Sequence, residues 1–369
     1  MNRVLYIILS LIFMFSHLNG QDEDKSFIQS DTIKVVKSTQ VIGLPIAFYT
    51  PETNFGIGGG AQFIFNDMRN VFNSRLSDMI ITAVYTSKNQ LLLDARPQIH
   101  IYDGEFFLDG IFRFKLFPNS FWGIGNATLD ENLEAYNMQS TEVQVSILKR
   151  IPNTVNFGFE YMFQHHKMLE YDSTGILYNE DIPGSAGATI SSLNSVFTFD
   201  DRDNIFSARS GNFVKLKAGF CSRVLGSTHS YNKYIFDIRK YIRIGSSLSI
   251  AAQYYMEMTH GDVPFQQMAW LGGGEKTRGY FRGRYIDHQF YAAQVELRWR
   301  FAQRWILAGF VSGGDVSYQV SQLYEDVKHS YGGGLRYQLS KKSRTLVRLD
   351  IGIGRSGNSG VYFGVNEAF

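Results

Sequence analysis

The strongest constraint on this chain is an alternation of period two, sustained over segments of about ten residues and repeated from Val41 to the end. In FYAAQVELRWRF, Tyr291, Ala293, Val295, Leu297, Trp299 and Phe301 fall on one side of an extended strand, and Gln294, Glu296, Arg298 and Arg300 on the other. LSIAAQYYMEM divides in the same way: Leu248, Ile250, Ala252, Tyr254, Met256 and Met258 oppose Ser249, Gln253 and Glu257. RTLVRLDIGIG sets Thr345, Val347, Leu349, Ile351 and Ile353 against Arg344, Arg348 and Asp350. Each strand therefore has one apolar face and one charged face.

Segment length decides which all-β architecture this is. The strands of a soluble sandwich usually run to about 5–6 residues. Segments of about ten residues with an aromatic-rich apolar face match tilted strands crossing roughly 25 Å of hydrocarbon. No open sheet edge is tolerable there, so the sheet must close. Turn clusters such as DGE, SKNQ, IPNT, GSS and KKSR separate about 16 alternating runs, an even number as single-chain bacterial barrels require. Longer irregular stretches fall at alternate connections, Pro118–Asn137, Asp172–Thr189 and Gly261–Gln289. The expectation is a transmembrane antiparallel β-barrel with long loops on one side and short turns on the other.

The first twenty residues, MNRVLYIILSLIFMFSHLNG, carry Arg3, then an apolar run from Val4 to Phe15, then small and polar residues. That run is too short for a span of roughly 20 and fits a cleaved secretory signal over residues 1–20. Residues 21–40 read as a short periplasmic lead, and 41–369 as the barrel. No later stretch reaches 18 consecutive apolar residues. The lone cysteine, Cys221, can form no internal disulfide and reads as an inert wall residue. A net charge of +2 gives no global field for nucleic acid. A glycine count of 35 against 7 prolines, with 15% aromatics, suits one large β structure.

Chemical readings of individual motifs are weak beside this pattern. GGGEKTRGYFRGRY, residues 272–285, invites comparison with a phosphate loop, but that motif needs Gly directly before Lys and a helix after it, and Glu275 precedes Lys276. As a nucleic-acid arm it lacks a long basic run. His165 and His166 are adjacent, so on a strand they point to opposite faces and do not share a metal. Asp200, Asp201, Arg202 and Asp203 could gather Ca²⁺, but Arg202 more simply neutralises its neighbours on a lumen-facing bend. No Ser and His spacing establishes a barrel phospholipase. Neither a cofactor nor a metal is expected.

With a barrel in place, WLGGGEKTRGYFRGRY lies in the long connection before the fifth strand from the end. Its Thr277, Arg278, Gly279 and Tyr280 resemble the [VIT]RG[FY] loop motif of the bacterial surface antigen superfamily, which contains the BamA and TamA barrels and the two-partner-secretion transporters. Further matches follow in order: LPIAFYTPETNFGIGGG (44–60), TFDDRDNIFSARSG (198–211, with Asp201, Arg202 and Asp203), GFVSGGDV (309–316), YGGGLRYQL (331–339), LVRLDIGIG (346–354) and YFGVNEAF (362–369). The resemblance implies a 16-stranded outer-membrane barrel whose long loop folds back into the lumen, where Arg278 pairs with an acidic wall residue. The usual acidic position holds Ser312 here, so the partner is sought among Asp315, Asp350 and Glu296, with Asp315 preferred. An unpaired buried arginine would cost several kcal/mol, so a partner is required. Gly279 would allow the loop to turn, Tyr280 would pack on the inner wall, and Phe369 would close the final strand as an insertion signal.

The resemblance further implies a non-enzymatic outer-membrane factor assisting insertion or transport of proteins or lipids, working through a weak seam between the strands near 41–49 and 360–369. Assembly and secretion members carry periplasmic POTRA domains of some 75 residues each. About 20 residues lie between the signal and the barrel here, so a stand-alone barrel is expected, with outer-membrane lipids and a periplasmic partner supplying client-receiving domains. The alternative is a passive pore or structural surface barrel that has lost client handling.

Overall fold

The computed structural model describes residues 40–369 apart from 51–52, 66–76, 103, 152–153, 180 and 340–343. The expected signal (1–20) and lead (21–40) lie outside the described residues, Gln40 excepted.

The strands are β1 (Gln40–Thr50), β2 (Asn54–Phe65), β3 (Ser77–Thr86), β4 (Leu91–Ile101), β5 (Phe106–Phe121), β6 (Glu134–Ile151), β7 (Val155–Tyr171), β8 (Gly187–Asp200) and β9 (Gly211–Cys221). They continue with β10 (Tyr231–Ile244), β11 (Leu248–Gly261), β12 (Ala269–Leu271), β13 (Tyr285–Asp287), β14 (Gln289–Arg300), β15 (Trp305–Ser317), β16 (Lys328–Gln338), β17 (Leu346–Gly354) and β18 (Ser359–Val365). All except β12 and β13 form one 16-stranded sheet in which each strand pairs antiparallel with the next in sequence. This is the all-β transmembrane barrel that the alternation calls for. The end strands β1 and β18 lie within 8 Å of one another, Cα to Cα.

Alternation separates the two faces in register. On β14 the even residues from Phe290 to Arg298 are buried, and Ala293, Val295, Leu297 and Trp299 are exposed on the outside. The exposed face is apolar because its solvent is hydrocarbon. Near the short-turn end, Trp299 meets Phe301 at 5.8 Å and Trp305 meets Tyr337 at 4.8 Å, the interfacial aromatics of a barrel girdle.

Strand lengths depart from the expected ten. β5, β6 and β7 run to 16, 18 and 17 residues, beyond the roughly 9–11 needed for a span, so they rise above the bilayer on the long-loop side. The connection expected over Pro118–Asn137 is correspondingly shorter: Pro118 and Asn137 face each other inside the ladder. The inner faces of these extensions bury Phe121, Tyr136 and Met138, with Ile190 of β8, against Phe265 and Ile286 from the longest connection, closing the mouth with a hydrophobic cluster. Among the described connections at the opposite end, 102–105, 245–247 and 301–304 are short and 201–210 is longer.

The exposed face supplies a direct test. Val295→Arg places a charge mid-strand on the lipid side and is expected to cost about 2–4 kcal/mol, whereas Val224→Arg, on the exposed 222–230 connection, is expected to be nearly neutral. Equilibrium urea unfolding in lipid vesicles measures both.

Candidate functional site

The connection between β11 and β14 does not stay at the rim. It begins and ends in a small ribbon, β12 paired with β13, and between them residues 272–284 descend along the inner wall. Gly279, at φ +115°, makes the tip turn that side chains with a Cβ rarely adopt. The receiving wall is hollowed to match: a Cβ on Gly352 would lie 2.7 Å from the Arg278 carbonyl carbon, and one on Gly354 would lie 2.7 Å from the Tyr280 ring. The glycines of DIGIG are thus the socket for the tip.

Arg278 is fully buried at the bottom of this descent. Its Nη1 lies 2.7 Å from Glu296 Oε2 on β14 and 2.8 Å from Asp350 Oδ2 on β17. Its Nη2 donates to Gln294 at 3.3 Å, and the guanidinium stacks 3.5 Å from the centre of the Phe310 ring. Ser312, where an acid was expected, instead shares a 2.6 Å hydrogen bond with Ser330. The preference for Asp315 is corrected. On β15 the even residues Phe310 and Ser312 face the loop and the odd residues face away, so Asp315 has the wrong parity. Its carboxylate accepts from Asn126 and from the Val316 and Asp326 amides instead.

The ion pair belongs to a larger cluster. Arg336 on β16 reaches Asp350, Glu296 at 3.2 Å and Glu367 at 3.2 Å. Arg298 lies 2.7 Å from Glu296, and Arg348 lies 2.7 Å from Asp350. Four guanidiniums and three carboxylates thus meet inside the wall, each acid shared by at least two arginines. The arrangement ties the loop, β14, β16 and β17 together through shared ion pairs.

The tip is also tied to the last strand. The Gly279 amide donates to Tyr362 Oη at 3.0 Å, and Tyr362 Oη donates to the Tyr280 carbonyl at 3.1 Å. Tyr280 Oη donates to the His329 carbonyl and accepts from the Arg355 amide, both at 2.8 Å. Thr277 Oγ1 accepts from the Gly272 amide at 2.7 Å, folding the loop on itself. Higher up, Arg284 holds Asp130 at 2.7 Å and Thr128, fixing the loop to the β5–β6 connection.

Two further expectations are relocated. Asp201, Arg202 and Asp203 lie on the 201–210 connection, at the end opposite the long loops. Arg202 pairs with Asp200 at 2.7 Å, Asp201 accepts from Asn212, and Asp203 pairs with Arg344 at 2.7 Å and Arg243 at 3.0 Å. Burial works to raise the Asp203 carboxyl, but the Arg209 amide and the Arg344 guanidinium outweigh it and hold it below the usual carboxylate range. Phe369 is not in the final strand: β18 ends at Val365, Asn366 turns at φ +65°, and Phe369 is buried inside against Ala208 and Tyr241. Its main-chain oxygen accepts from Arg298 at 3.3 Å. His165 is exposed and His166 buried, on opposite faces of β7, and Cys221 is buried in the mouth cluster.

Sequence reasoning missed the contribution of Arg336, Arg298, Glu367 and Tyr362. For Arg298, Arg336 and Tyr362, inward parity on their strands was the available signal; Glu367 lies in the tail beyond β18.

The Omp85 superfamily domain matches residues 98–369 of this chain. Among solved structures, BamA from Haemophilus ducreyi lacking POTRA domains 1–3 is similar at a TM-score of 0.65 and 12% identity, over 91% of this chain and 74% of that one. CdiB from Acinetobacter baumannii is similar at 0.59 and 10% identity, over 90% and 60%. CdiB from Escherichia coli is similar at 0.58 and 10% identity, over 89% and 62%, so the chain spans less than two thirds of either CdiB. No curated protein matches the sequence.

Removing one member of a buried, shared ion cluster leaves charge uncompensated. Arg278→Ala is expected to cost about 3–5 kcal/mol in vesicle unfolding. Gly352→Val, which changes no charge, is expected to expel the tip and make the 272–284 segment accessible to protease.

Proposed function

The chain belongs to the Omp85 superfamily, and from that premise we propose that its outer-membrane barrel assists insertion or translocation of proteins or lipids by controlled release of the 272–284 loop. One observation carries the reading: the loop tip holds the strand at which the barrel closes. The inward positions of β18 are Gly360, Tyr362 and Gly364, so Tyr362 alone offers an inward side chain, and it is committed to the tip at Gly279 and Tyr280. β18 has 7 residues against 11 in β1, so it can pair with only part of that edge. An incompletely paired edge in hydrocarbon is a place where another strand can add.

In this mechanism the locked tip keeps β17 and β18 in place through Asp350 and Tyr362. Withdrawal of Arg278 frees both strands at once, and the seam then admits a client strand or a lipid. A periplasmic partner supplying client-receiving domains and the surrounding outer-membrane lipids are the partners this role calls for. The alternative, a passive pore, is opposed by the loop and mouth cluster that occupy the interior.

A disulfide tests the release step. A Cβ on Gly314 would lie 3.0 Å from Thr277 Cγ2, so Thr277→Cys with Gly314→Cys is placed to bridge the loop to β15. In vesicles, the oxidised protein is expected to stop promoting the folding of an added outer-membrane barrel, and reductant to restore it; equal activity in both forms would sink the proposal. In planar bilayers the unlocked protein is expected to give small, flickering conductance, and a large steady current would favour the pore.

A further inference from the structure

The outer wall carries a feature that neither the loop nor the seam uses. Outward positions on this barrel are mostly filled by Leu, Ile, Val or aromatic side chains, but at one height on three neighbouring strands they are small. Ala252 on β11, Ala293 on β14 and Gly313 on β15 are outward, and Ala293 faces Gly313 and Tyr254 across the ladders. The missing side chains leave an apolar groove of about 500 Å³, walled by Ile238, Tyr254 and Val311 and open to the bilayer. That volume falls in the roughly 300–1,000 Å³ range of ligand pockets. Its long-loop side is braced by tyrosines: Tyr254 Oη lies 2.7 Å from Tyr324 Oη, and the Tyr324 ring stacks 4.1 Å from Tyr291.

At the groove's other end, Lys240 points outward and lines it. Its ammonium donates to Asn212 Oδ1 at 2.8 Å, at the start of β9 near the short-turn end, the direction in which a lipid-facing lysine snorkels. Among the described residues no carboxylate lies within 4.0 Å of it. An ammonium on the hydrocarbon face without a protein counter-charge is expensive unless an anion from the membrane meets it.

We propose that this groove holds one anionic glycerophospholipid of the periplasmic leaflet, its phosphate on Lys240 and one acyl chain across Ala252, Ala293 and Gly313. A flexible chain is the occupant that hydrocarbon surroundings offer, and it supplies the dispersion contacts that the absent side chains do not. The Lys240 ammonium selects the headgroup. The proposal rests on the outer wall facing lipid and is independent of whether the loop moves.

Native mass spectrometry of the detergent-purified full chain, with equal phosphatidylglycerol and phosphatidylethanolamine, tests it. The wild type is expected to retain phosphatidylglycerol about fivefold over phosphatidylethanolamine, the preference one lysine confers. Lys240→Gln is expected to level that preference while keeping lipid bound. Ala293→Phe, which fills the groove, is expected to remove the retained adducts of both lipids. Ala252→Leu narrows the same groove and serves if Ala293→Phe does not give the heat-modifiable folded band. Equal retention of the two lipids by the wild type, or unchanged adducts in the groove-filled protein, means annular lipid only and overturns the proposal.

Discussion

In hydrocarbon, every backbone N–H and C=O must find its partner within the chain, and that requirement organises everything else here. It is met by 16 strands laid side by side in sequence order. Once the ladders satisfy the backbone, the outer face must be apolar, and the alternate residues are delivered to an interior that lipid never reaches. Charged side chains on that inner face have little bulk water and no lipid, so they must serve as one another's solvent. The cluster around Glu296 and Asp350 is the result: Arg278, Arg298 and Arg336 all converge on Glu296, from the loop and from two strands.

Such a cluster contributes more to position than to net stability. Bringing ions out of water costs about what their attraction returns, whereas a missing partner leaves several kcal/mol unmet. The Arg278 guanidinium therefore has two acceptable environments, fully paired in the socket or fully hydrated, and intermediate depths are disfavoured. The proposed release would therefore be a two-position event. The Gly352 and Gly354 socket sharpens it, because the tip fits only when it is fully seated.

The alternation made the barrel, its strand number and its inner and outer faces legible, because lipid on one side enforces a strict parity. The RGY tip was legible as a loop anchor for the same reason that its acidic partner was not. Asp315 stands close in sequence to the expected acidic position, but parity turns it away from Phe310 and Ser312, whereas Glu296 carries inward parity directly opposite Phe310 on the paired β14, and Asp350 carries it on β17, two strands away. A partner two strands away is set by register across the sheet, which one sequence does not display. Phe369 was hidden differently. The apolar pattern of YFGV runs on as if into a strand end, but Asn366 adopts a left-handed conformation that asparagine tolerates, and the chain turns inward. The heights of β5 to β7 were obscured because their extensions bury apolar residues against loops, so the alternation weakens where lipid ends.

That inward turn changes what the charge cluster can sense. The tail after β18 enters the same interior as the loop: Glu367 meets Arg336 at 3.2 Å, its amide donates to the Phe206 carbonyl, and Phe369 meets Arg298. Arg298 and Arg336 in turn share Glu296 with Arg278. The last strand is therefore held from within twice, at its middle by Tyr362 on the loop tip and beyond its end by the tail on the arginines, and two carboxylates, Glu296 and Asp350, link the two holds. If Arg278 leaves, Glu296 and Asp350 lose a cation and Arg298 and Arg336 draw their acids closer, which tightens the tail as the tip lets go. Under the proposed release, the strand would lose its hold at Tyr362 while keeping its hold at the tail, so the seam would open beside Tyr362 first.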